Sequence, residues 1–142
     1  MQIALAVTAT TDELAVHRQQ VILIVEDDAA LRGMWRTALR LEGFGIVEAA
    51  DGMEALKLIE ASPPDLVILD IGLPHLDGIA VRKDLAAQVF SRHIPIVVIT
   101  GSTDDLSYLD VNCILKKPVT TDHVILAIHR CIQSATPSIG VS

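Results

Sequence analysis

The chain has 142 residues, enough for one domain with a single hydrophobic core, and its 51% hydrophobic content is typical of a globular protein. Its net charge of −7, from 18 acidic and 11 basic residues, argues against a nucleic-acid binder, which needs a basic face. No apolar run approaches the roughly 18–20 residues of a membrane span, and "MQIALAV" lacks the features of a signal peptide, so we expect a cytoplasmic protein.

The first half of the chain alternates strand and helix patterns. Residues 1–20 have weak periodicity and are expected to form an extension outside the fold. The run "VILIV" (21–25) predicts a strand buried on both faces, and residues 29–42 carry apolar side chains at helical spacing. A second strand is predicted at 45–49 and a second helix at 51–61, which "SPP" then ends.

The second half continues the same alternation. The pattern predicts, in chain order, a strand at 65–70, a helix at 78–90, strands at 94–100 and 112–116, and a last helix at 120–133. The tail 134–142 is expected to be loose. Strands that alternate with helices and are apolar throughout indicate a parallel sheet covered on both faces, here in one domain of residues 21–133.

Polar residues follow four of the predicted strands. The first strand ends in Glu26-Asp27-Asp28, the third in Asp70, the fourth in Thr100 and the fifth in Lys116-Lys117-Pro118. Because parallel strands end at one edge, acids, a hydroxyl and an ammonium group are expected to converge there. Clustered carboxylates favour magnesium, which would relieve their repulsion. An aspartate beside magnesium, a hydroxyl and a lysine is equipped to accept a phosphoryl group.

These motifs resemble the receiver domains of response regulators, the CheY-like family of two-component signalling. The matching pieces are "ILIVEDDAALR", "GFGIVEAADGMEAL", "PDLVILDIGLPHLDG", "IPIVVITGS" and "KKPV", which together cover about residues 20–133. The resemblance implies a doubly wound, flavodoxin-like α/β fold with five parallel strands in the order 2-1-3-4-5. It also implies a phosphoacceptor that is not a conventional enzyme and catalyses only its own phosphorylation and dephosphorylation.

The resemblance assigns the phosphoacceptor and the magnesium ligands. Asp70 matches the phosphoacceptor. Glu26 and Asp27 match the acidic pair that holds Mg²⁺, with Asp27 the direct ligand and Glu26 acting through water. The backbone carbonyl of Gly72 would be a further ligand, beside Asp70.

The resemblance also assigns the residues that respond to the phosphoryl group. Thr100 matches the hydroxyl that moves toward this group, and Lys117 matches the lysine that pairs with it. The Lys117–Pro118 bond is expected to be cis. Asp28 falls outside the acidic pair and is expected to cap the following helix, as Asp51 is expected to cap the next one.

Two features depart from the family pattern. Only 17 positions separate Thr100 from Lys117, so "GSTDDLSYLDV" leaves room for a shortened or irregular fourth helix. Ile114 occupies the switch position three residues before the lysine, where the family usually carries Tyr or Phe. The usual aromatic switch is therefore not expected.

Alternatives to the phosphoacceptor remain open. A phosphatase with an aspartyl nucleophile would need a second Asp where this chain has Gly72, whereas a pseudo-receiver would act only as a binding module. The chain could also be the receiver fragment of a hybrid histidine kinase, although Met1 and the two tails favour a stand-alone receiver.

The resemblance implies a sensor histidine kinase or phosphotransfer protein as phosphoryl donor and a downstream protein as target. The last helix is apolar nearly all round. This favours a partner or homodimer surface formed by the fourth-helix region, the fifth strand and the last helix. Alternatively, residues 1–20 could cover this surface within a monomer.

The two cysteines, Cys113 and Cys131, have no CxxC spacing. They predict neither a metal motif nor a disulfide framework, so a reducing cytosol is the expected compartment.

Overall fold

The structure is a computed structural model that describes residues 18–70, 84, 87–88, 92–100 and 113–135. Its strands are β1 (Val21–Val25), β2 (Gly45–Ala49), β3 (Leu66–Asp70), β4 (Ile96–Thr100) and β5 (Cys113–Lys116), and its helices are α1 (Ala29–Leu41), α2 (Gly52–Ala61) and α3 (Thr121–Ala135). Asp84, Ala87 and Gln88 are also helical, within the helix predicted at 78–90. The segment of the predicted short fourth helix, 101–112, lies outside the described residues, as do residues 1–17.

The five strands form one sheet in the order β2-β1-β3-β4-β5, and every neighbouring pair is parallel. The predicted fold class and strand order are therefore confirmed. The register aligns Val25 with both Ala49 and Leu69, so β1, β2 and β3 end side by side. Thr100 pairs with Lys116 at the same edge.

Side chains that alternate along each strand fill two separate cores. In β1, Leu23 and Val25 pack on one face with Ala55 and Ile59 of α2. Ile22 and Ile24 point to the other face and join the core that includes side chains of α1 and α3. Burial on both faces explains why the strands read as continuous apolar runs.

The two caps predicted from sequence are present. Asp28 accepts hydrogen bonds from the backbone N–H groups of Ala30 and Leu31 and thereby caps α1. Asp51 caps α2 by accepting from the N–H of Glu54. Gly43, just after α1, has φ of 99°, a backbone conformation that glycine adopts without steric cost.

The expectation that the two cysteines form no disulfide is wrong. Cys113 in β5 and Cys131 in α3 form a disulfide, with their Cα atoms 6.9 Å apart. Helix α3 returns across the sheet and packs against β4 and β5, which brings together two residues 18 apart in sequence. This pairing depends on the crossover of the chain, so the spacing of the two cysteines could not reveal it.

Most apolar residues of α3 face the core. Val124, Ala127, Ile128 and Cys131 are buried, and Leu126 is half exposed. The apolar surface left to solvent on the described part of this helix is thus smaller than the sequence suggests. Of the helices in the described ranges, none is both long and apolar enough to cross a membrane.

Candidate functional site

The register of β1 and β3 brings two acidic residues together at the carboxyl edge of the sheet. Val25 of β1 aligns with Leu69 of β3. Glu26 and Asp70, which follow them in the chain, therefore lie next to each other. Both are buried, with 2% and 0% of their surface exposed. They are the only buried charged residues in the part of the chain that the structure describes. Burying two neighbouring carboxyl groups away from water costs free energy of folding. Such an arrangement is typical of a functional site.

The environment of Glu26 favours its neutral form. Burial, followed by the hydrogen bond with Asp70 and the charge of Asp70, raises the pKa of Glu26 to about 8. Glu26 Oε1 accepts from the N–H of Asp28 at 3.2 Å. Its Oε2 is buried and has no hydrogen-bond partner among the described residues. A buried oxygen of this kind is usually satisfied by a hydrogen-bond donor, an ordered water or a cation.

Lys117 supplies a positive charge to this edge. Its Nζ donates to Asp70 Oδ2 at 2.5 Å. Partial burial would lower the pKa of Lys117, but the hydrogen bond and charge of Asp70, with the charges of Glu26 and Asp27, raise it. The lysine therefore stays charged at neutral pH. The Lys117–Pro118 bond is cis.

The structure describes the other predicted site residues only in part. Asp27 is half-buried beside Glu26, and Thr100 ends β4 one residue beyond Ile99, the partner of Asp70. Gly72 lies outside the described residues. Ile114, at the switch position, is 42% exposed and points to solvent.

Sequence reasoning missed an ionic network next to the acidic loop. Arg32 of α1 donates from Nη1 to the backbone carbonyl of Glu26 at 2.6 Å and from Nε to Glu48 Oε1 at 3.1 Å. Arg36 also contacts Glu48, at 2.9 and 3.0 Å from its two oxygens. Partial burial would raise the pKa of Glu48, but Arg36 and Arg32 lower it. The spacing of Arg32 and Arg36, four apart on one helix, was the available signal.

The donor set suits a magnesium ion. Glu26 and Asp70 carry carboxylate oxygens of the hard type that magnesium prefers, and Glu26 Oε2 is buried with no hydrogen-bond partner among the described residues. Within the described ranges, no three acidic, His or Cys side chains already converge closely enough to hold an ion. The fit to the cation therefore rests on the type of oxygen that these residues carry, and Asp27 lies next to Glu26 in the same loop.

Comparison with protein families identifies the class to which this chain belongs. The family model for the response regulator receiver domain matches residues 22–129, and the chain belongs to this family. Members of the family generally depend on Mg²⁺ and interact with kinases or phosphotransfer partners.

Several known proteins are similar to this chain. Response regulator MprA of Mycolicibacterium vanbaalenii is 33% identical over 124 residues, covering 84% of this chain and 53% of MprA. Transcriptional regulatory protein PdtaR of Mycobacterium tuberculosis is 48% identical over 95 residues, covering 65% of this chain and 43% of PdtaR. The chain thus spans about half the length of these relatives.

The fold is also similar to that of solved receiver structures. A CheY-like response regulator receiver domain protein from Methanospirillum hungatei superimposes with a TM-score of 0.72 at 23% identity, covering 83% of this chain and 97% of that one. At this identity the likeness concerns the fold alone.

Proposed function

We propose that the protein accepts a phosphoryl group on Asp70 in a two-component phosphorelay. The observation that carries this proposal is the fully buried Asp70 carboxylate held by Lys117 at the edge where the strands end. A structural ion pair would gain little from such burial, because desolvation offsets the attraction between the charges. An acceptor site, in contrast, needs a carboxylate with a fixed cation beside it.

The chain's own residues account for the transfer step. A carboxylate oxygen of Asp70 attacks the phosphorus of a phosphohistidine or small acyl phosphate. The bond from phosphorus to the donor atom breaks, and its electron pair leaves with the donor. The Lys117 ammonium group neutralises phosphoryl oxygens, and we assign the Thr100 hydroxyl to the same group once it is bound.

Magnesium would be held by Asp70, Asp27, Glu26 through water, and the carbonyl of Gly72. When bound, it neutralises charge on the transferring phosphoryl group. A water molecule on the ion would then donate a hydrogen bond to Glu26 Oε2. This would give a partner to a buried oxygen that has none among the described residues.

We propose a sensor histidine kinase or phosphotransfer protein as donor and a protein as the downstream target. Ile114 of β5 and Leu126 of α3 are exposed apolar side chains. Cys113 and Leu115 point toward α3, so Ile114 lies on the opposite side of the sheet. We assign contact with a partner, or with a second copy of the chain, to the edge of the fold formed by β5 and α3. Replacing Leu126 by Glu should weaken that contact in sedimentation without unfolding the protein, since this side chain lies outside the core.

Phosphorylation from acetyl phosphate and magnesium tests the proposal. The wild type should take up one phosphoryl group that hydroxylamine removes, and Asp70→Asn should not. Asp84→Asn removes an exposed carboxylate and serves as the matched control. Undiminished labelling of Asp70→Asn contradicts the assignment. No labelling of the wild type favours the pseudo-receiver.

A further inference from the structure

The strongest unassigned contact lies behind the acidic loop, where Arg32 holds the main chain of Glu26. We propose that Arg32 is a positioning residue for magnesium, which fixes the acidic loop through the Glu26 carbonyl and is itself fixed by Glu48. This inference rests on the proposed function, because it concerns the ion that the phosphoacceptor uses.

Three hydrogen bonds fix Glu26 from three directions. Its N–H donates to the carbonyl of Ala49 at 3.0 Å, which extends the β1–β2 ladder by one residue. Its Oε1 accepts from the N–H of Asp28 at 3.2 Å. Its carbonyl accepts from Arg32 Nη1 at 2.6 Å. The last bond sets the orientation of the peptide unit that leads into Asp27.

Glu48 determines where the guanidinium group of Arg32 lies. Arg32 is 20% exposed and donates from Nε to Glu48, while Nη1 reaches the Glu26 carbonyl. Without Glu48, the only contact left among those described for this guanidinium would be the Glu26 carbonyl. It could then turn toward the acidic side chains and compete with a cation for them.

The planar group of arginine is required for this double contact. Its Nε and Nη1 atoms point to two acceptors at once in a fixed geometry, which the single ammonium of lysine does not reproduce. Arg36 provides an internal comparison. It shares Glu48 with Arg32, and the bonds described for it reach Glu48 rather than the loop.

The test compares Arg32→Lys with Arg36→Lys. Magnesium affinity is measured by titration calorimetry on the full chain, and metal-free stability by urea unfolding in chelator. Arg32→Lys should weaken magnesium binding about 10-fold or more, the usual cost of losing a group that orients a metal ligand. Arg36→Lys should leave the affinity close to that of the wild type. Glu48→Gln, which retains Arg32, should also weaken binding.

A kinetic measurement separates positioning from general stability. For Arg32→Lys, the magnesium concentration that gives half-maximal labelling from acetyl phosphate should rise, while the rate at saturating magnesium recovers. Unchanged magnesium affinity in Arg32→Lys, or an equal loss in Arg36→Lys, overturns the inference. Failure of the wild type to be labelled on Asp70 would instead overturn the proposed function, and the calorimetric comparison would still report on Arg32.

Discussion

Lys117 reaches Asp70 across the end of an intervening strand. Asp70 ends β3, and Lys117 follows β5, with β4 between them in the sheet. The Nζ–Oδ2 distance is 2.5 Å, although the lysine side chain is 38% exposed and the aspartate is fully buried. The loop after β5 therefore delivers a cation from the surface to a carboxylate in the interior.

Replacing Lys117 by Met should destabilise the metal-free protein. The change leaves the buried Asp70 carboxylate without its cation, and we expect a loss of about 1–3 kcal/mol in the free energy of unfolding. Partial exposure of the lysine keeps the loss at this level, since solvent screens the pair. Urea unfolding measures it, with Lys116→Met, an exposed neighbour, as control. Equal stability of the two variants would show that the ion pair contributes nothing.

The metal-free protein should become less stable as pH rises toward 8. The folded-state pKa of Glu26, about 8, lies above the ordinary 4.5, so the folded chain retains a proton that the unfolded chain has released. The stabilisation that this group contributes is fully present below pH 4.5 and is lost as the pH rises through 8. Each pKa unit between the two states corresponds to about 1.4 kcal/mol.

Glu26→Gln removes this titration. Urea unfolding in chelator at several pH values should give a flatter profile for this variant between about pH 5 and 8. Identical slopes for the variant and the wild type would assign the pH dependence to other groups.

Magnesium should raise the melting temperature of the wild type. An ion that binds only the folded state adds about 2.7 kcal/mol at a hundredfold excess over its dissociation constant. Asp27→Ala should lose most of this gain, because it removes one carboxylate of the proposed site. An equal rise in both proteins would place the ion elsewhere.

Reduction should lower stability through the Cys113–Cys131 disulfide. A bridge that closes a loop of 18 residues restricts the unfolded chain and contributes up to about 3 kcal/mol. Melting with and without a reductant measures this contribution, and Cys113→Ser should melt like the reduced wild type. If reductant leaves the wild type unchanged, the bridge does not contribute to stability.

Local chemistry determined most of what the sequence could predict. The apolar runs placed every described strand, and Asp28 and Asp51 were identified as caps because short acidic side chains preceded helical spacing. Asp70 and Glu26 were predicted to meet because parallel strands end together. The Cys113–Cys131 bridge and the contact of Arg32 with Glu48 join residues on different elements, and no local pattern encodes which elements pack together.

Mapping the phosphoryl group by borohydride reduction tests the central claim most directly. Borohydride reduces an aspartyl phosphate to the alcohol, which converts the modified aspartate into homoserine that peptide mass spectrometry can locate. After incubation with acetyl phosphate and magnesium, we predict homoserine at residue 70 alone. Homoserine at Asp27 or another acid, or none in a protein that carries the phosphoryl group, would contradict the account.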